Sequence, residues 1–130
     1  MNKVLALAAA GEAAMGLALL VYPPIVVRLL FGAEIAGAEV VMSRIAGISL
    51  VALGLACWPG SDGDSGLAGA LRGMLCYSLL ATLFLAYLGI GGEWVGPLLW
   101  PAVALHLILS LLLARQWRLG NTGRVNNINR

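Results

Sequence analysis

VLALAAAGEAAMGLALLVY, residues 4–22, is the stretch on which the fold turns. It is apolar or small throughout, with one carboxylate, Glu12, near its middle. A bilayer's hydrocarbon core is roughly 30 Å thick and takes about 20 helical residues at about 1.5 Å each. Three further stretches share this length and character: Ala38–Trp58, Leu67–Ile90 and Pro97–Arg115. Spanning strands would alternate apolar and polar residues over about ten positions, and no such alternation is present. Backbone groups in lipid must satisfy one another, so all four stretches are expected to be helices. The expected fold is all-α, an integral membrane up-and-down four-helix bundle over residues 1–115. A flexible cytoplasmic tail is expected over 116–130.

Composition agrees with that solvent. Hydrophobic residues make up 61% of the chain and charged residues 11%, against about 25% charged in soluble domains. The net charge of +2 gives no reason to expect nucleic acid as a partner. The positions of the basic residues say more. Four crossings put Lys3, Arg72, Arg115, Arg118, Arg124 and Arg130 on one side and leave Arg28 and Arg44 on the other. The positive-inside rule therefore places both termini in the cytoplasm of a bacterial inner membrane. Trp58, Trp94, Trp100 and Trp117 lie near the span ends, where indoles favour the headgroup region. The opening Met1-Asn2-Lys3 and the small residues Ala8–Ala10 could mark a secretory signal, but apolar character runs on past Glu12 to Val21. Retention of this segment is the expectation.

Tyr22-Pro23-Pro24 should stop the first helix, because proline lacks a donor and restricts the residue before it. Ile25–Phe31 is too short to span and is expected to lie in the outer interface, with Gly32 as its stop. Ser61–Gly66 reads as a water-facing turn. Its Asp62 and Asp64 lack the later acidic ligand and the length of a calcium loop. Gly69-x-x-x-Gly73 and Ala10-x-x-x-Ala14 are small faces suited to helix packing. Gly89–Pro97 is an outer turn. Cys57 and Cys76 differ in expected depth by roughly 12 Å, whereas a disulfide holds its α-carbons within about 7 Å. Both are expected to be reduced, buried thiols.

Four polar residues interrupt the apolar runs: Glu12, Arg44, Tyr77 and His106. Counting along the helices puts Glu12 about 12 Å and Tyr77 about 15 Å from one face. Arg44 is then roughly 9 Å and His106 roughly 13 Å from the other. All four could share a level. A charged side chain at mid-helix costs about 2.5–3.5 kcal/mol on the insertion scale, so an inward-facing Glu12–Arg44 ion pair is expected. Tyr77 and His106 would add hydrogen bonds, with Ser43, Ser78, Thr82 and Ser110 as further inward candidates. Such a pair can simply fix helix order, or it can line a ligand site. No second histidine answers His106 for haem, and no metal site is expected. No Ser-His-Asp grouping, His-Glu-x-x-His or phosphate loop occurs, so any catalysis would rest on Glu12 and His106.

The second stretch, Arg44-Ile-Ala-Gly47-Ile-Ser-Leu-Val-Ala-Leu-Gly54-Leu, resembles that of DoxX-like small four-helix bacterial membrane proteins. The resemblance could extend over Val4–Arg115. It implies a four-span fold and, for some members, association with quinone-linked sulfur or respiratory oxidation; this chain lacks a convincing cysteine pair for thiol redox work. The functional expectation is a non-enzymatic membrane protein holding a quinone or lipid-like molecule at Glu12, Arg44, Tyr77 and His106. The alternatives are an accessory subunit of a larger membrane complex, and a proton or ion transporter acting as a homo-oligomer.

Overall fold

The computed structural model describes residues 2–60 and 63–128, with side chains described within 2–60 and 66–119. Five helices follow in order: α1 (Lys3–Val21), α2 (Pro23–Phe31), α3 (Ala38–Ala56), α4 (Gly63–Gly91) and α5 (Leu99–Ile128). Among the described residues there is no strand. Four of the helices, all but α2, are long and apolar enough to cross a membrane.

Local chemistry explains the joints. Asn2 caps α1, its side-chain oxygen accepting from the Leu5 amide at 3.1 Å. Pro23 and Pro24 end α1, and they also open α2, where prolines in the first turn need no hydrogen-bond partner. Tyr22 is therefore the last residue of one helix frame and the cap of the next. Gly32 stops α2 in the left-handed region, at φ 69°, and donates to Arg28 O.

Two helix boundaries differ from those read in the sequence. α4 begins at Gly63, inside the stretch read as a turn; Ser61 and Asp62 and the side chains of 63–65 lie outside the described residues. The α5 backbone runs to Ile128 and not to Arg115. Hydropathy falls after Arg115, but Gln116, Trp117, Arg118 and Leu119 are tolerable helix formers with no proline among them. Loss of apolar character marks where lipid would end, which need not be where a helix ends.

The helices pack as two antiparallel pairs, α1 with α3 and α4 with α5. In the first pair the backbones nearly touch. A Cβ added to Gly16 would lie 2.6 Å from Gly47 O, and one added to Gly54 would lie 2.6 Å from Ala9 O. Ala9 and Gly16 are seven residues apart, as are Gly47 and Gly54, so each pair sits on one helix face two turns apart. The α4–α5 pair is built instead from larger side chains, including Leu71, Met74, Leu109 and Leu113. α1 touches every other helix. Leu5, Ala8 and Ala9 of α1 join Cys57, Leu71, Met74, Leu109 and Leu113 in one apolar cluster.

At the opposite end, α2 leans on α1, α3 and α5. Its last carbonyls pair with the chain entering α5: Gly96 N donates to Leu30 O at 3.0 Å, and Leu98 N to Leu29 O at 2.9 Å. The expected interfacial segment thus covers the far end of both pairs.

Candidate functional site

Glu12 lies on the same α1 face as Leu5, Ala8, Ala9 and Gly16, following the three-and-four spacing of a helix. That face turns Glu12 inward, where the residue is 5% exposed. His106 of α5 meets it, with Nε2 3.4 Å from Glu12 Oε1. Tyr77 of α4 completes the group, its ring standing beside that of His106. The Tyr77 and His106 rings lie 6.0 Å apart at 60°. Three helices therefore deliver three of the four expected residues to one place.

Arg44 is not among them. The structure corrects the Glu12–Arg44 pairing: Arg44 is exposed on α3, and Glu12 pairs with His106. The reason is rotation, not depth. Leu53 is the α3 residue turned toward the apolar cluster, and Arg44 is nine positions earlier. At about 100° per residue, that puts Arg44 about half a circumference away. The inward candidates Ser78, Thr82 and Ser110 are buried, while Ser43 is half-buried and donates to Glu39 O within its own helix. Both cysteines are free, and Cys57 is buried as expected, but Cys76 faces outward. Burial pushes the Cys57 thiol up.

The proton inventory follows from hydrogen-bond chemistry. A carbonyl oxygen only accepts, so His106 Nδ1 carries a hydrogen and donates to Ala102 O at 2.8 Å. A neutral His106 then presents a bare lone pair at Nε2 toward Glu12. An ionised Glu12 facing that lone pair would set acceptor against acceptor. A proton on either group removes the conflict, as carboxylic acid beside imidazole or carboxylate beside imidazolium. Either form leaves the pair with no net charge, which is what a buried apolar setting demands.

Hydrogen bonding here is incomplete. Thr82 Oγ1 donates to Ser78 O at 2.7 Å and Ser110 Oγ to His106 O at 2.8 Å, so these hydroxyls are satisfied on their own helices. Ser78 Oγ and His106 Nε2 are buried and make no hydrogen bond, the nearest Glu12 oxygen standing 3.4 Å from the latter. A buried polar atom left unpaired costs about 1–3 kcal/mol. Sequence reasoning had placed Ser78 inward but had no signal to separate it from Thr82 and Ser110. That distinction depends on whether a carbonyl one turn earlier is in reach. The His106 side chain keeps 14% exposure and that of Glu12 keeps 7%, so the group is not sealed.

Comparison with known protein families, characterised proteins and solved structures gives no significant match. The functional argument therefore rests on this geometry.

Proposed function

We propose that the chain is a non-enzymatic, multi-pass protein of a bacterial inner membrane that holds a small carbonyl-bearing amphiphile of the quinone class between α1, α4 and α5. In this reading its four long helices form an up-and-down bundle with cytoplasmic termini, and the DoxX-like resemblance of Arg44–Leu55 belongs to the same proposal. The single observation that carries it is the buried His106 Nε2, which makes no hydrogen bond although it lies 3.4 Å from a Glu12 carboxyl oxygen. Intramembrane ionisable groups are costly and tend to be functional. A ligand carbonyl would accept a hydrogen bond from whichever of Glu12 and His106 carries the proton. The Tyr77 ring, tilted beside the imidazole, would line one side of a flat ring system.

The test is extraction of quinones and lipids from protein purified in a mild detergent, with wild type compared against Glu12→Gln/His106→Gln. The expected result is a retained quinone in the wild type, lost by about tenfold or more in the double variant, the factor of one strong hydrogen bond. Arg44→Met should retain it. Equal retention by the parent and the double variant, or none by the parent, overturns the reading.

A second reading, an accessory subunit, is favoured by a separate observation. Ala10, Ala14, Gly69 and Gly73 all face outward, and a Cβ added to Gly69 meets nothing within 4 Å. Of the two glycines, Gly73 meets only Cys57 Sγ at 3.9 Å, so these faces are sparsely covered within the chain itself. A defined protein partner retained through gentle extraction would support that reading, and a lone monomer would count against it.

A further inference from the structure

Arg44 is left over by the site just described. It sits in α3, within a stretch long and apolar enough to span a membrane. Its side chain is exposed, and among the described residues no carboxylate pairs with it. Val41, Met42, Ile45 and Ile48 around it are exposed and apolar. Of the four spans, α3 is the least buried within the molecule. A guanidinium among apolar side chains is costly unless it reaches an anion or water.

Helix geometry says which way it reaches. Side chains on an α-helix slant toward the helix N-terminus. Arg44 is six residues from the start of α3, or about 9 Å along the axis. A long stem with that slant points toward the first turn. The N-terminal residue, Gly37, supplies no side-chain cap there, so unpaired amides add partial positive charge. Glu39, the acidic residue of that turn, is engaged elsewhere: its Oε2 accepts from Ala36 N at 3.2 Å. Ser43 Oγ is committed to Glu39 O at 2.8 Å. A cationic head, a positive helix end and an apolar flank thus lie along one exposed face.

We propose that this face of α3 is a binding site for an anionic phospholipid. Its phosphate meets Arg44 and the first turn of α3, and its acyl chains lie on Val41, Ile45 and Ile48. The inference rests on α3 crossing the membrane, but not on the quinone site. A second copy of the chain is disfavoured as the occupant, because it would set Arg44 against Arg44.

Native mass spectrometry of the detergent-purified chain with added phosphatidylglycerol or phosphatidylcholine tests it. Phosphatidylglycerol should be retained preferentially by the wild type. Arg44→Gln should lower that retention about fivefold, the factor expected for one basic residue at an anionic membrane surface. Arg44→Lys should keep part of it and Glu12→Gln all of it. Equal retention of the two lipids by the wild type overturns the proposal without need of any variant. So does unchanged phosphatidylglycerol retention in Arg44→Gln, or loss of a co-purifying protein in its place. A wild-type chain that stays in aqueous solution without detergent would instead overturn the membrane reading itself.

Discussion

The seam between α1 and α3 and the seam between α4 and α5 solve the same problem by opposite means. The first is closed by absent side chains: Gly16, Gly47 and Gly54 let one backbone rest on the other. The second is closed by bulky ones, with Met74 and Leu113 fully buried. Where backbones touch, no space remains for a polar side chain to enter. The functional groups gather beside that seam, where Glu12, on the same face of α1, meets His106 of α5 across side-chain packing. One seam makes a wall and the other a floor on which chemistry can be arranged.

The largest blow to this contrast should come from Gly47→Leu. Its side chain has nowhere to go but through the Gly16 carbonyl, 2.7 Å from where a Cβ would stand. Separating the helices should cost about 3 kcal/mol, at the upper end of ordinary overpacking. Unfolding in mixed micelles measures it, and a loss below about 1 kcal/mol would mean that the seam is looser than described. Leu113→Ala on the other seam should cost about 2 kcal/mol, at the low end for core truncations because lipid is already apolar. A double-mutant cycle on Glu12→Gln and His106→Gln should give a coupling of about 1 kcal/mol. Strict additivity would show that the two side chains do not interact. Gly69→Leu should change stability by less than about 0.5 kcal/mol, since open space surrounds it. Finally, Cys57 should resist N-ethylmaleimide in the folded protein and react after denaturation, because burial raises its thiol and denies access.

The sequence made the levels of things legible and left their directions unread. The apolar runs marked four helices to within a few residues at most ends, and Pro23 and Gly32 marked the joints. Counting residues put Glu12, Tyr77 and His106 near one depth, and they do meet. The same counting put Arg44 beside them, because depth along an axis says nothing of rotation about it. Rotation is set by which face packs, and that was written in Ala9, Gly16, Gly47 and Gly54, small residues recurring every seventh position. The shorter Gly69-x-x-x-Gly73 spacing was easier to notice, yet it faces outward. The end of α5 was misplaced because a fall in hydropathy was taken for the end of a helix.

The hydrogen bonds from Gly96 and Leu98 to the last carbonyls of α2 act as a latch across one end of the molecule. The apolar cluster around Leu5, Met74 and Leu113 plugs the other. Glu12 and His106 thus lie between two packed ends, and their side chains keep 7% and 14% exposure. The thin, planar, lipid-dissolved ligand proposed above suits that placement better than a hydrated, bulky solute would.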